Sequence, residues 1–287
     1  SPTARQLDVR RCLLSLGGED TATLYLQDTR QGVYRFSTAV SAASVKDYLE
    51  SQDGGNADFA RSLGEEYASL SPYTLVFDSV SARRELSAAN ALSDYPSEEL
   101  LRRAEFNPHT KDRYVESSGT EVVIEGQRKL YLHPDGMLSY SGGAAEDGSL
   151  FAVAAADAAH ISRAELCAAA RGLIGALTQG RIGDAALFLS GIESDDDDGT
   201  TVFFDYMADG TPIRVADGSH AAEVRIEGQS ITAFSLRLRR YTLTERDSLL
   251  LPLALSRAIA QRYPGCELTV AYIDSYGDSV GASWIAD

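Results

Sequence analysis

The heptapeptide Glu223-Val-Arg-Ile-Glu-Gly-Gln229 decides the interpretation of this 287-residue chain. It alternates apolar and polar side chains and then reaches Glu-Gly, a pattern typical of a strand that enters a hairpin turn. A near copy, Glu121-Val-Val-Ile-Glu-Gly-Gln127, lies upstream. Each copy is followed by a helical pattern, a strand, a turn with acidic residues and a returning strand. This repeated order predicts two copies of one unit, in which a helix packs across an antiparallel sheet.

Each copy is followed by apolar residues at helical spacing. The first helix begins with the capping-box pattern Ser162-Arg-Ala-Glu165, in which the first and last residues satisfy each other's backbone N–H groups. Pro252 is expected to delay or kink the start of the second helix. We predict that each helix presents one apolar stripe. The first stripe is Leu166, Ala170, Leu173, Ile174 and Leu177, and the second is Leu251, Leu255, Ala258, Ile259 and Arg262.

The residues before the first copy predict a further domain of strands and helices. Residues 9–16, 21–27 and 32–37 read as a meander of strands, and residues 41–51 and 56–70 as helices. The predicted fold class is α+β, with antiparallel sheets that are each crossed by a helix, in an elongated molecule. The predicted domains are an N-terminal α+β domain at 1–107, a first helix-over-sheet repeat at 108–199 and a second repeat at 200–287.

Composition excludes several classes of function. Hydrophobic residues make up 44% of the chain, which is enough for a packed core. The net charge of −16 would repel nucleic-acid backbones and anionic bilayer surfaces. No apolar run is long enough to span a bilayer. The chain opens at Ser1 without an initiator Met, and we expect that a leading segment has been removed.

Candidate catalytic and metal-binding residues are few. Cys12, Cys167 and Cys266 are an odd number without close spacing, which argues against disulfides and a zinc site. Asp195 to Asp198 are consecutive, so their carboxylates would diverge, and a solvated turn is expected rather than a calcium loop. The histidines, which show no metal-ligand spacing, are His109, His133, His160 and His220. The sequence therefore predicts no catalytic residues, no metal site and no cofactor.

A small basic group is the candidate for an interaction surface. Arg237, Arg239 and Arg240 stand close together in an acidic chain, and strand spacing would put the first two on one face. This group could dock a partner or an anion, and a salt-bridged strand face is the alternative interpretation. Trp284 lies on the last strand, where an aromatic side chain belongs either to the core or to an exposed interface.

Several segments resemble the YycH/YycI group of regulatory proteins. They include Phe106-Asn-Pro108, Arg113-Tyr-Val-Glu116, Asp135-Gly-Met-Leu-Ser-Tyr140, Phe204-Asp-Tyr-Met-Ala-Asp-Gly-Thr-Pro-Ile213, Ile231-Thr-Ala-Phe-Ser-Leu-Arg-Leu-Arg-Arg-Tyr241 and the closing Tyr272-Ile-Asp274 with Trp284. One departure is Gly281-Ala-Ser283, where the family would place a proline beside the terminal tryptophan.

The resemblance implies a function without catalysis. Members lie outside the cytoplasmic membrane of Gram-positive bacteria and are tethered by one N-terminal transmembrane helix. They contact a membrane sensor histidine kinase of a two-component system that governs cell-wall metabolism, and they also contact a paralogous regulator. Their domains are of the PepSY type, a helix across an antiparallel sheet. For this chain we expect an extracytoplasmic regulator of signal transduction that acts by protein–protein contact, with a homodimer also possible.

Two other functions remain open from the residues alone. An extracellular hydrolase could use a carboxylate pair, either Asp205 with Asp209 or Glu223 with Glu227, because positions four apart on a strand share a face. A carrier of a small ligand or a peptide would need one deep apolar pocket between the repeats.

Overall fold

A computed structural model describes residues 9–17, 20–28, 32–51, 57–77, 82–146, 148–155, 157, 160–195 and 199–286. The chain divides into two compact units, residues 1–58 and residues 59–287. The predicted boundaries at 107/108 and 199/200 stay predictions.

The first unit is a three-stranded antiparallel meander followed by a helix. Its elements are β1 (Val9–Ser15), β2 (Thr21–Asp28), β3 (Val33–Ser41) and α1 (Ala42–Glu50). Ser41 caps α1, since its side chain accepts a hydrogen bond from the backbone N–H of Ser44 at 3.2 Å. The predicted meander and the helix at 41–51 are confirmed.

The second unit contains the remaining elements. In chain order they are β4 (Ala57–Phe59, which begins at the end of the first unit), β5 (Leu75–Phe77), β6 (Arg84–Asn90), α2 (Ser97–Arg103), β7 (Arg113–Val115), β8 (Glu121–Glu125), β9 (Arg128–Leu132), β10 (Met137–Ser141), α3 (Arg163–Thr178), β11 (Ala185–Ser194), β12 (Gly199–Ala208), β13 (Thr211–Val215), β14 (Ala222–Glu227), β15 (Ser230–Arg237), β16 (Arg239–Asp247), α4 (Leu253–Ala260), β17 (Leu268–Asp274), β18 (Ser279–Val280) and β19 (Ala282–Ala286).

The helix predicted at 56–70 is wrong for the described residues 57–70. This segment is β4 followed by two short 3-10 turns, Ala60–Ser62 and Glu65–Tyr67. Gly64 separates the two turns with a φ of 95°, which a right-handed helix cannot accommodate. The four-residue spacing of Phe59, Leu63 and Tyr67 was therefore a misleading signal for a helix.

Among the residues that the structure describes, the largest sheet of the second unit is mostly antiparallel and has 11 strands. Its order is β19-β17-β13-β12-β14-β15-β10-β9-β8-β7, and β11 pairs with the other edge of β12. β13 and β14 lie end to end along one side of β12, and the pairing of β13 with β17 is parallel. Strands of both predicted repeats thus belong to one sheet, except for β16 and β18 of the second. The α+β class with antiparallel sheets is confirmed.

Both Glu-Gly-Gln segments form two-residue hairpin turns in this sheet. Glu125 pairs with Arg128, and Glu227 pairs with Ser230, which leaves Gly-Gln as the turn in each case. The two turn glycines, Gly126 and Gly228, have φ angles of 61° and 57°. Such left-handed conformations favour glycine, which explains why both copies contain it at this position.

Helix α3 covers one face of the large sheet. Ser162 and Glu165 form the predicted capping box, with both reciprocal bonds present. The whole predicted stripe from Leu166 to Leu177 is buried, together with residues of α2 and inward-facing residues of the sheet such as Val202 and Phe204. Each fully buried leucine or isoleucine contributes about 1.5–3 kcal/mol, so this stripe is a main source of stability.

A second, three-stranded sheet has the order β16-β6-β18. Strand β16 follows β15 almost directly, yet β15 belongs to the large sheet, so the chain changes sheets at Leu238. The core between the two sheets includes Leu86, Tyr206, Tyr241 and Tyr272.

Candidate functional site

Arg239, one of the predicted interaction residues, is buried in an ion pair. Its Nε and one Nη nitrogen each lie 3.0 Å from a carboxylate oxygen of Asp274, and the relative exposures of the two side chains are 7% and 1%. The Tyr241 hydroxyl also donates to Asp274, at 2.8 Å, and burial together with this charge raises the pKa of Tyr241. The Arg239 guanidinium therefore holds β16 to the turn after β17, and it does not lie on the surface.

Arg237 and Arg240 are also paired, at separate places. Arg237 lies 3.2 Å from Asp135 and above the Tyr276 ring, at 4.6 Å from its centroid. Arg240 makes two hydrogen bonds of 2.9 Å to Asp94, and these lower the pKa of that carboxyl. Because β15 and β16 belong to different sheets, the structure does not bring the three arginines together in one patch. A role of Arg237 or Arg240 in an interface stays a prediction.

Trp284, the fourth predicted interaction residue, lies beside the segment that leads into α4. Its indole Nε1 donates to the carbonyl oxygen of Leu251 at 2.8 Å, and the side chain is partly exposed. It lines a narrow crevice together with Leu75, Phe77 and Leu253. The structure thus places Trp284 next to the most unusual apolar surface of the second unit.

The unusual surface is the outward face of α4. Leu255 and Ile259 lie four residues apart on α4, with exposed fractions of 49% and 42%, and Leu251, two residues before the helix, is 46% exposed. The buried positions of this helix are the small residues Ser256 and Ala260. The prediction that this stripe would be buried like that of α3 is wrong, because α4 packs with its small side chains inward and leaves its large apolar side chains outside. We call Leu251, Leu255 and Ile259 the α4 ridge.

The surroundings of the α4 ridge extend its apolar area. Leu249, just before the helix, is fully exposed, and Tyr263, just after it, is 59% exposed. Leu75 and Phe77, on β5, are 49% and 40% exposed. Isolated exposed apolar side chains are common, but a run of them on one helix face is typical of an interaction site.

The charge near the α4 ridge differs from that of the rest of the chain. Between Asp247 and Glu267 the sequence contains two arginines and no acidic residue, whereas the whole chain has a net charge of −16. Arg257 lies 3.5 Å from Glu66, and Arg262 is exposed. The margin of the ridge therefore contains one ion pair, Arg257 with Glu66, and one exposed arginine, Arg262.

The first candidate carboxylate pair is divided between a buried and an exposed position. Asp205 is buried and Asp209 is an exposed turn residue. Both carboxylate oxygens of Asp205 lie 3.1 Å from Nδ1 of His220, and Ser190 Oγ lies 3.5 Å from that same nitrogen. A nucleophile activated by this histidine would need to contact the other ring nitrogen, so these three residues are not arranged as a catalytic triad.

The other predicted pair, Glu223 and Glu227, lies along β14. Glu227 is 3.3 Å from Arg225, which also pairs with Asp195. This arrangement is a surface ion-pair group, in which the guanidinium neutralises the carboxylates. Glu223, four residues from Glu227 on the same strand, is not part of this ion-pair group.

A broad cleft in the second unit is the place to look for the ligand pocket that a carrier protein would need. It has a volume of about 580 Å³ and is lined by Glu105, Glu125, Arg128, Tyr140 and Phe151, among others. Arg128 lies over the Phe151 ring and donates to the backbone oxygens of Ala104 and Glu105. Because polar and charged groups make up most of its exposed lining, this cleft is not the deep apolar pocket that a carrier of an apolar ligand would need.

The described part of the chain contains neither a cluster of metal ligands nor a disulfide. There, no three His, Cys, Asp or Glu side chains are grouped closely enough to hold a metal ion. Asp195 accepts a hydrogen bond from the backbone N–H of Gly199 at 3.0 Å, and Asp196, Asp197 and Asp198 lie outside the described residues. Cys12, Cys167 and Cys266 are free thiols. None of the described helices has the length and apolar character needed to cross a bilayer.

The sequence does contain a signal for the outward ridge, but the spacing of the large apolar residues does not include it. Ser256 and Ala260 stand four residues apart on the side of α4 opposite the ridge. Small residues allow a helix to approach a sheet closely, so either side of α4 could have faced inward.

Comparison of the chain with protein families, curated proteins and solved structures found no match in any of the three.

Proposed function

We propose that this protein is a non-catalytic binding module that contacts another protein through the α4 ridge. The observation that carries the proposal is the exposure of Leu255 and Ile259 on one side of α4 and of Leu251 two residues before it, each above 40%. Burial of apolar surface contributes about 25 cal/mol for each Å² removed from water, so a partner that covers this ridge gains directly from its exposure.

The lack of an assembled catalytic site among the candidate residues supports a binding role. The Asp205 carboxylate lies in contact with His220, and Glu227 forms an ion pair with Arg225. Arg237, Arg239 and Arg240, the candidate interaction surface from the sequence, are each paired with a carboxylate of the same chain. By contrast, the α4 ridge is a surface whose chemistry is not satisfied within the described part of the second unit.

A finer proposal rests on the resemblance to the YycH/YycI group. In that case the partner is a membrane sensor histidine kinase or a paralogous regulator, and this chain adjusts kinase activity on the extracytoplasmic side of a Gram-positive membrane. The two PepSY-like repeats are part of the same proposal. The matching Gly-Gln hairpins support a duplication, while the different placement of α3 and α4 on the sheet argues for divergence after it.

Site-specific photo-crosslinking in the cells that make the protein tests the proposal. A photoreactive amino acid at Leu255 is expected to give one discrete protein adduct. Placed at Lys111, an exposed loop position away from α4, the same group is expected to give none. The substitution Ile259→Gln should weaken the Leu255 adduct. Equal adducts from positions 255 and 111 would overturn the proposed surface, and identification of the adduct by mass spectrometry tests the kinase proposal.

A further inference from the structure

Strand β11 (Ala185–Ser194) is an open edge of the large sheet. It pairs with β12 along one side, and within the described ranges no strand pairs with its other side. In an antiparallel pair, about half of the backbone N–H and C=O groups of a strand point away from its neighbour. Between Ala186 and Glu193, none of the described residues forms a hydrogen bond with these outward groups. Because such a row of groups is matched by another extended backbone, this edge can accept a further strand.

The sequence of β11 lacks most of the features that protect edge strands from pairing. Natural edge strands are often short, contain proline or carry charged side chains. β11 has ten residues, no proline and one charged residue, Glu193, near its end. By contrast β7, an edge at one end of the same sheet, has only three residues and begins with Arg113. A register shift between Leu189 and Gly191 marks a bulge in β11, so the regular part of this edge is 185–189.

The side-chain sizes along this regular part match themselves when the strand is reversed. The sequence is Ala185-Ala-Leu-Phe-Leu189. In an antiparallel pair of two such strands centred at Leu187, this leucine lies opposite its own copy. Ala186 then lies opposite Phe188, and Ala185 lies opposite Leu189. Each flanking position thus joins a small side chain to a large one, and no two like charges are opposed, which favours the pairing.

From the open edge and its self-matching pattern we infer that two copies of this chain pair through β11, antiparallel and centred at Leu187. A two-fold axis at Leu187 relates the copies, so that each contributes the same surface, and the two large sheets become continuous. The five paired residues extend about 17 Å at about 3.4 Å per residue. This is a small contact, so the dimer should be weak and should depend on protein concentration. The inference is independent of the α4 ridge.

The charge of the protein acts on this dimer only from a distance. No charged residue lies between Ala185 and Ile192, whereas the whole chain has a net charge of −16, so two copies repel each other at long range. Salt reduces the screening length from about 8 Å at physiological ionic strength to about 3 Å at 1 M. Salt should therefore strengthen the pairing, whereas it would weaken a contact that depended on ion pairs between the copies.

Sedimentation velocity of the complete protein tests the inference. We expect the 30.9-kDa chain to form dimers as its concentration rises, and to do so more strongly at high salt. Leu189→Lys places a charge on the open edge and should leave only the monomer. The matched control is Val115→Lys on β7, which makes the same change of charge at an exposed position and should dimerise like the unmodified protein. Circular dichroism checks that both variants are folded.

Disulfide cross-linking tests the register. In a background with Cys12→Ser, which removes the exposed natural thiol, Leu187→Cys should form a disulfide between two copies under mild oxidation. Directly opposed residues of an antiparallel pair have Cα atoms about 4.5–5.5 Å apart, which a disulfide can span. Leu189→Cys is the control and should not cross-link, because the register separates the two cysteines by about 14 Å along the strands.

The outcomes separate this interface from other contacts. A monomer at every concentration, a dimer that salt weakens, or a dimer that Leu189→Lys leaves unchanged would overturn the pairing through β11. Absence of the cross-link at position 187 in a protein that dimerises would overturn the register. A dimer abolished by Leu255→Gln and retained in Leu189→Lys would assign self-association to the α4 ridge. If the purified protein is monomeric and a photoreactive group at position 189 captures a different protein in cells, the edge accepts a strand of that protein and not a second copy.

Discussion

Arg239 and Asp274 form an ion pair in which both side chains are more than nine-tenths buried, with two contacts of 3.0 Å between guanidinium and carboxylate. Arg239 also donates to the carbonyl oxygen of Gly277 at 2.6 Å. The pair joins the first residue of β16 to the last residue of β17, which belong to different sheets. Arg239 is therefore a structural residue at the point where the two sheets of the second unit meet.

Removal of one member of this pair is expected to destabilise the protein strongly. Arg239→Met leaves the Asp274 carboxylate buried without its cation, which costs about 3–5 kcal/mol in free energy of unfolding. The matched control is Arg240→Met, which breaks the exposed pair with Asp94 and should cost about 0–1 kcal/mol. Urea denaturation followed by circular dichroism measures both. Equal losses for the two variants would contradict the assigned burial of Arg239.

Gly183 is expected to tolerate no side chain. Its φ is +69°, and an added Cβ atom would overlap the carbonyl oxygen of Tyr241, where the loop before β11 approaches the start of β16. Gly210 has a similar φ of +67° but nothing within 4 Å of an added Cβ. Gly210→Ala should therefore cost about 1–2 kcal/mol from backbone strain alone, and Gly183→Ala distinctly more. Thermal unfolding of the two variants compares them, and a smaller loss at Gly183 would refute the close approach.

Much of the local structure could be predicted because its signals lie within a few residues of each other. The capping box of Ser162 and Glu165 fixes where α3 begins, and the stripe from Leu166 to Leu177 fixes the face that it buries. The turn glycines Gly126 and Gly228 likewise fix two hairpins.

The placement of elements relative to one another could not be predicted in this way. Arg237 and Arg239 have the spacing of residues on one strand face, yet the chain changes sheets between them at Leu238. That change depends on the pairing of β16 with β6, which is far away in the sequence. The spacing of residues within one segment contains no information about such a partner, and so the burial of Arg239 was missed.

The orientation of α4 was missed for a related reason. A helix with large apolar residues on one side and Ser256 and Ala260 on the other can pack in two ways. The choice depends on how closely β17 allows the helix to approach, and no local pattern reports that distance. The candidate interaction surface therefore became visible only once the side chains of α4 were placed.

Paired leucine substitutions test the different orientations of α3 and α4. Leu173 is completely buried, whereas Leu255 is 49% exposed. Leu173→Ala should lower the free energy of unfolding by about 2–5 kcal/mol, because it removes buried methyl groups and leaves a cavity. Leu255→Ala should change it by no more than about 0.5 kcal/mol, as at other surface positions. Denaturant titration measures both, and a loss at Leu255 as large as that at Leu173 would show that the α4 ridge is buried.

The hydrogen bond from the Tyr276 hydroxyl to Asp217 is expected to be visible in an acid titration. This bond, with the hydrogen bond from the backbone N–H of Ser219, lowers the pKa of Asp217 from 3.8 to about 2. A carboxyl whose pKa is lower in the folded protein contributes its stabilisation above pH 4, and the contribution is lost as the pH falls towards 2. NMR detection of the side-chain carboxyl should therefore show Asp217 titrating well below ordinary aspartates.

The variant Tyr276→Phe isolates the hydroxyl, because it keeps the ring that lies under Arg237. In this variant the pKa of Asp217 should rise towards 3.8 without reaching it, since the backbone N–H of Ser219 still donates to the carboxylate at 2.9 Å. The pKa of Asp94, which Arg240 lowers at a separate site, should not move and serves as the internal control. An unchanged pKa of Asp217 in Tyr276→Phe would show that the tyrosine hydroxyl does not hold this carboxylate in solution.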